Sequence, residues 1–433
     1  MMKHRLTRTW SRREVLQLGV AGAASLAAGR PARAAARTLN VLAHRVHQNS
    51  LTTGVAGDLT KPWREAHDAD IVWTTFDTDP LQDRLFREAS LERTDFGVGF
   101  LVNSRATPNV APLLTPLDDY RAKTPIEDFG DIAPGLVSAM TINGKLVAVP
   151  FRTATIGLFY NEALLEERGI KAPPTTLEEM VEQAKQLTFR SQAGTPVVGM
   201  VVASDLATFP VSFARAYGGD FIGPGLKLVP DRAALEKAFA TLADLYKSGA
   251  LPRTFATTSN DDQVTWMQQG RAAFTVLPFA RYAQLNRQDQ SKYPGRIKAV
   301  EFPISAALKG KMPMASCVEF WAMCIPNNAR DKDLAWSFIQ TMSGKALAVG
   351  AARNGNGPAR TSTFGDPSFA AQPMAAIEAK ALASARVPLP AFPNAARAQS
   401  MFLEEMQLAV LGRKTPKEAV AAIVERITPL MSG

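Results

Sequence analysis

Between residues 38 and 101, short apolar runs with strand character alternate with helical stretches, and this alternation restricts the fold more than any other feature of the chain. The runs Thr38–Ala43, Asp70–Phe76 and Asp95–Leu101 are too short for helices and are rich in Val, Leu, Ile and Phe. After the first comes a long loop, then a short helix from Thr60 with Pro62 tolerated in its first turn. After the second, Asp79-Pro80-Leu81-Gln82 reads as a helix start, with Asp79 as N-cap, Pro80 at N1 and Gln82 at N3. A βαβαβ succession needs a parallel sheet with helices on its faces, so the expected class is α/β rather than a bundle or a sandwich.

The rest of the chain continues in the same manner. Asn143-Gly144 between two extended runs predicts a tight hairpin, and a longer extended passage follows through Ile156–Asn161. Thr175-Thr176-Leu177-Glu178 predicts a capping box, opening a helix with Leu177, Met180, Val181, Ala184 and Leu187 on one face. This makes Glu178 and Glu179 a helix start rather than a catalytic pair. Asp231 caps another helix, with Leu235, Phe239, Leu242 and Leu245 inward and Gly249 as its terminator. Gly270–Pro278 predicts a turn and a buried strand, and the tail is helical, restarting at Thr415-Pro416-Lys417-Glu418. Cys317 and Cys324 fall seven residues apart on one expected strand. At about 3.3 Å per residue this separation is far beyond disulfide reach, which implies two buried thiols.

The N-terminus has a different character. Ser11-Arg12-Arg13-Glu14-Val15-Leu16-Gln17 precedes a charge-free, Ala- and Gly-rich stretch from Val15 to Gly29, shorter than the roughly 20 apolar residues of a membrane span. Ala32-Arg33-Ala34 and Ala34-Ala35-Ala36 both satisfy a small-x-small cleavage rule, and the cut is expected after Ala36. With Arg12 and Arg13 as the pair, the segment resembles twin-arginine translocation signals, which implies passage through the twin-arginine export machinery to the periplasm. Seven basic residues and one acid, Glu14, lie in these 36 residues, so six of the chain's net +9 leave with them and about +3 remains. No dense basic run with interleaved aromatics is left, so no nucleic-acid partner is expected.

Further motifs recur in a recognisable order: Leu114-Thr115-Pro116-Leu117-Asp118, Asn143–Pro150, and Phe159-Tyr160-Asn161-Glu162-Ala163-Leu164-Leu165 running into Gly169. Pro173–Glu179, Gly270–Phe274, Leu334–Ile339 and Leu411–Ala419 continue it. Together they resemble the extracellular solute-binding proteins of ABC importers, in particular the group similar to maltose- and other sugar-binding proteins. The resemblance implies a type II periplasmic binding protein fold, with two hinge-linked α/β lobes and a ligand cleft between them. It implies crossings near Pro150–Thr155, Val300–Ile304 and Ser343–Pro358, giving an N-terminal lobe of 37–151 plus 303–345 and a C-terminal lobe of 152–302 plus 346–433. It also implies a monomer that captures a small solute, without cofactor or metal, and delivers it to the membrane subunits of a permease.

In open α/β sheets ligands lie beyond the carboxyl ends of the strands, which selects the candidate ligand-binding residues. His44, Arg45 and His47 follow the first strand, Phe76 and Asp77 the second, and Asn103 the third. Arg152 and Thr153 stand at the first crossing, Phe279 and Arg281 follow a later strand, Glu319 and Trp321 lie on a late strand, and Asn354 and Asn356 occupy the last crossing. Arg152 has a structural alternative as a hinge ion pair. Glu319, in an apolar strand, requires a partner because an unpaired buried carboxylate is costly. Trp73 and Trp336 read as core. His44 and His47 would oppose one another on a strand and have no local third ligand, which argues against a metal. No G-x-S-x-G, H-E-x-x-H, P-loop or complete dinucleotide fingerprint is present, so a periplasmic hydrolase or lyase is a remote alternative to a binding protein. Sugars and oligosaccharides are the leading ligand class. The Arg and His residues near the expected cleft keep an anionic solute, a phosphorylated polyol or sugar acid, as the alternative.

Overall fold

A computed structural model describes residues 37–312 and 316–431; the segment expected to be a twin-arginine signal, with Arg12, Arg13 and Ala36, lies outside them. Strands β1 (Arg37–Ala43), β2 (Ala69–Thr75) and β3 (Phe96–Val102) are parallel in the order β2-β1-β3, as the alternation requires. A Cβ at Gly97 would collide with Leu39 and one at Gly99 with Leu85, so these glycines admit neighbouring side chains and do not begin a nucleotide loop.

Two local expectations change. The loop after β1 contains a helix, Arg45–Thr52, whose buried face is His47, Ser50 and Leu51. With so polar a buried face, hydrophobic periodicity carried no helical signal. The helix expected at Asp79 instead spans Thr78–Ala89, with Asp77 at the N-cap position and no side-chain cap bond. Gln82 is fully buried rather than part of a box: its Nε2 donates to Phe100 O at 3.0 Å and its Oε1 accepts from Val102 N at 3.2 Å. A buried carboxamide must satisfy both ends, and the edge of β3 supplies both partners.

The hairpin β4 (Thr141–Ile142) and β5 (Lys145–Leu146) turns through Asn143 and Gly144, both at positive φ. It leads into β6 (Val149–Asn161), the strand that ties the sheet together. Further strands are β7 (Phe189–Arg190), β8 (Pro196–Val201), the small pair β9 (Ile222–Gly223) and β10 (Lys227–Leu228), β11 (Ala272–Pro278), β12 (Ile297–Val300) and β13 (Val318–Cys324). The sheet runs β2-β1-β3-β13-β6-β11-β8-β7, with β12 also on β6. The first half of β6, through Thr155, pairs antiparallel with β13, whereas its second half, from Ile156, pairs with β11 and β12.

The apolar clusters follow the same division. One draws on residues between Leu39 and Phe151 and between Phe320 and Ala359; the other draws on residues between Ile156 and Phe302, on Cys317, and on Leu389–Ile427. The segment after β12 stays with the second group, since Leu177 N donates to Ile304 O and Ser305 N to Ala216 O. The helices of the second group form largely as their sequences dictate. Asp231 accepts from Ala234 N at the start of Arg232–Lys247, and Leu235, Phe239, Leu242 and Leu245 are fully buried. The helix Leu177–Gln186 is capped one residue later than expected, by Thr176. Glu178, expected in the box, accepts instead from Ser305 Oγ at 2.6 Å and Ala306 N at 2.9 Å. Cys317 and Cys324 are free and buried.

Candidate functional site

Where β6 and β13 run side by side, their register sets Arg152 opposite Trp321, Thr153 opposite Phe320, Ala154 opposite Glu319 and Thr155 opposite Val318. Alternation along each strand then puts Arg152, Ala154, Glu319 and Trp321 on one face of the ribbon and the other four residues on the opposite face. On the opposite face Val318 and Phe320 line a groove of about 750 Å³ together with Leu136, Leu226 and Leu382 and with Arg215, Arg360 and Arg386. The first face holds Arg152, Glu319 and Trp321.

That face meets the N-terminus of the Arg45–Thr52 helix. The His47 ring stacks on Phe100 with centroids 4.3 Å apart and stands edge-on to Trp321 at 4.9 Å; His44 lies 6.0 Å from His47 and 6.3 Å from Trp321. The two histidines do not oppose one another, as they would on a strand, because they cap a helix. His44 Nδ1 accepts from Val46 N at 3.2 Å, and His47 Nδ1 accepts from His44 N at 3.3 Å. With Nδ1 accepting, each neutral ring carries its proton on Nε2. His44 Nε2 is 3.8 Å from the exposed Asp77, whereas His47 Nε2 is buried with no hydrogen-bond partner among the described residues. Burial lowers both pKa values, that of His47 well below its ordinary value, and the nearby Arg152 charge adds to this.

Arg152 is 6% exposed and forms no ion pair among the described residues. Its Nη1 donates to Gly355 O and Asn356 Oδ1, both at 3.1 Å, while Asn356 Nδ2 returns a bond to Phe151 O. Burial, then the Arg281 charge, brings its pKa down to about 10. Arg281 closes a short turn, Phe279–Arg281, after β11, and its Nη1 donates to Gln284 at 2.7 Å. Burial pushes the half-buried Glu319 up to about 7, opposed by the Trp321 indole and reinforced by Asp79. His44, His47, Arg152, Arg281, Glu319 and Trp321 are thus brought to one place, with Arg45 and Asp77 exposed at its margin.

The remaining candidates have other contacts or exposure. Asn103 Oδ1 accepts from Phe320 N at 2.9 Å and pins β13 to β3. Thr153 is fully buried, donating from Oγ1 to Pro358 O. Phe279 is core, its ring filling the space where Gly157 lacks a Cβ. Asn354 accepts from Ala56 N and donates to Ser50 O and Gly57 O, which fixes the 54–57 loop. Phe76 is exposed. Trp336 is buried, its indole donating to Thr124.

Sequence reasoning missed Glu378. This residue sits on the helix Ala375–Ser384, packed against β6, 1% exposed and with neither carboxylate oxygen hydrogen-bonded. Burial drives its pKa up to about 8, and the Arg152 charge holds it from rising further. An acid in an Ala-rich helix carries no sequence mark separating it from a solvent-facing one. Among the described residues no group of three His, Cys, Asp or Glu is placed to hold a metal.

Three comparisons set this geometry among known proteins. The chain is 25% identical over 235 residues to a probable ABC transporter-binding protein of Deinococcus radiodurans, covering 51% of this chain and about half, 54%, of that relative. It is 23% identical over 338 residues to a mannitol-binding protein of Pseudomonas aeruginosa, covering 75% of each. Its fold matches maltose-bound MalE3 of T. maritima with a TM-score of 0.79 at 21% identity, covering 91% of this chain and all of the other. The architecture is therefore the mixed α/β periplasmic binding protein fold. Residues 58–377 match the family described as bacterial extracellular solute-binding protein, and with most of its length inside that match, this chain belongs to the bacterial extracellular solute-binding proteins.

Proposed function

We propose that the chain captures a sugar or polyol in a cleft between two lobes and delivers it to an ABC permease. The observation that carries this reading is the polar face of the β6–β13 ribbon, where Trp321 and His47 stand beside Arg152 and Glu319 between two separate apolar clusters. An aromatic ring accepts the C–H face of a sugar, and planar guanidinium and carboxyl groups match its paired hydroxyls. The relative named as mannitol-binding and the maltose-bound structure support the same ligand class.

The two apolar clusters and the hydrogen bonds of Arg360 and Ser362 to Asp131 support lobes of 37–155 with 318–362 and of 156–317 with 363–431. In this reading the second crossing lies at β13 rather than at Val300–Ile304, and the helix Lys345–Arg353 goes with the first lobe. Closure between such lobes would bury the solute. Thermal unfolding against a panel of sugars and polyols tests the binding function. A ligand at 100 times its dissociation constant adds about 2.7 kcal/mol, and small-angle scattering should show a smaller radius of gyration with that ligand. No stabilisation by any sugar or polyol would remove this ligand class.

The working place is the periplasm, reached in the folded state as a monomer through the Arg12-Arg13 signal. Changing both arginines to lysine keeps the charge and removes the pair, so the precursor should accumulate in the cytoplasm. Normal periplasmic levels of the doubly substituted protein would assign export to another route.

A further inference from the structure

The ribbon face concentrates cations more than a neutral solute requires. Arg152 is nearly fully buried, yet its bonded partners are a carbonyl and a carboxamide, and Arg281 is bonded to another carboxamide. Among the described residues neither is in an ion pair with a carboxylate.

The two are brought close by the end of the sheet. β11 pairs antiparallel with β6 as far as Pro278, opposite Ile156, and the short turn Phe279–Arg281 that follows packs against β6, the strand that carries Arg152. The Ala280 carbonyl also lies close to Gly355, whose own carbonyl holds Arg152. Both guanidiniums and Arg45 act on His44, and Arg281 acts on Arg152. The carboxylates facing this group offset it incompletely. Glu319, on the same face of the ribbon, is in no ion pair with either guanidinium among the described residues. Asp261 acts on Arg281 from a distance, Asp77 is exposed beside His44, and Glu378, acting on Arg152, has both oxygens buried without a hydrogen bond.

Like charges held together away from water raise the free energy of the protein unless an opposite charge arrives. Arg152 has one terminal nitrogen occupied by its two acceptors, which leaves Nη2 and Nε as free donors in the planar arrangement suited to carboxylate or phosphate. Resting on the sugar or polyol reading above, we propose that the solute also carries an anionic group, a carboxylate or a phosphate, held between Arg152 and Arg281, with its hydroxylated body against the Trp321 side of the ribbon.

Titration calorimetry with matched compounds tests this: mannitol, mannonate and mannitol 1-phosphate, and maltose with maltobionate. An anionic member should bind about 30-fold tighter than its neutral parent, in keeping with a charge-assisted bidentate contact, and the preference should shrink as salt rises. The mannonate and phosphate arms identify which anion is used. In Arg281→Gln the anionic-to-neutral ratio should fall to within about 3-fold. A neutral parent binding as tightly as its anionic counterpart in the unsubstituted protein would overturn the inference while leaving the sugar and polyol reading intact. Preference unchanged in a folded Arg281→Gln protein would overturn it too. Absence of binding by all five compounds would remove both readings.

Discussion

Arg152→Ala is expected to lose stability and solute affinity together, the first by about 3 kcal/mol and the second by about 30-fold. The stability loss follows from the partners left behind. Gly355 O and Asn356 Oδ1 both receive Arg152 Nη1 at 3.1 Å in a nearly closed site. Leaving a buried acceptor unmatched costs about 1–3 kcal/mol. Asn356 also bonds Phe151 O, so the loosened side chain would free a length of β6 from the segment beside it. The affinity loss follows from the remaining donors of the same guanidinium, Nε and Nη2, on the ribbon face that Arg152 shares with Trp321. Arg152→Lys keeps the charge but cannot donate in two directions in one plane, and should recover only part of each effect. Urea unfolding and calorimetry on the same preparations separate the two. Unchanged affinity in a folded Arg152→Ala protein would leave Arg152 as a purely structural tie.

Glu378→Gln should change the pH dependence of stability rather than its value in acid. In the folded protein burial holds the Glu378 pKa at about 8, above the ordinary value of 4.5. A group whose folded pKa is raised contributes its full stability below the unfolded pKa and loses it as pH rises through the folded one. The unsubstituted protein should therefore weaken between about pH 4.5 and 8, and the shift corresponds to a loss on the order of 5 kcal/mol at about 1.4 kcal/mol per unit. Glu319, raised to about 7, adds to the same slope. His44 and His47, whose pKa values are lowered by burial, act in the opposite sense and cost stability as pH falls below about 6.5. Those contributions are common to both proteins, so their difference isolates Glu378. Denaturant unfolding at pH 5 and pH 9 should find the two alike in acid and the Gln variant more stable by several kcal/mol in base. Parallel profiles would show that the carboxyl is not buried as an acid.

Local chemistry determined what the sequence could determine alone. The β2-β1-β3 strands, the Asn143-Gly144 turn, the Asp231 cap and the inward face of Arg232–Lys247 depend on residues a few positions apart, and their hydrophobic period or turn preference reports them directly. The family resemblance extended that to the whole architecture. Where the reading went astray, a distant partner had claimed the side chain. Gln82 turned from a helix start to the edge of β3, and Glu178 from its expected cap to Ser305. The site depends on such pairings throughout. Trp321 meets Arg152 because β13 inserts beside β6, and His47 meets Trp321 because a polar segment folds into a helix. Glu378 lies buried near Arg152 because its helix packs on β6. No local pattern encodes those encounters. Burial and charge at each residue are properties of what the rest of the chain places around it, and so only the tertiary structure could decide them.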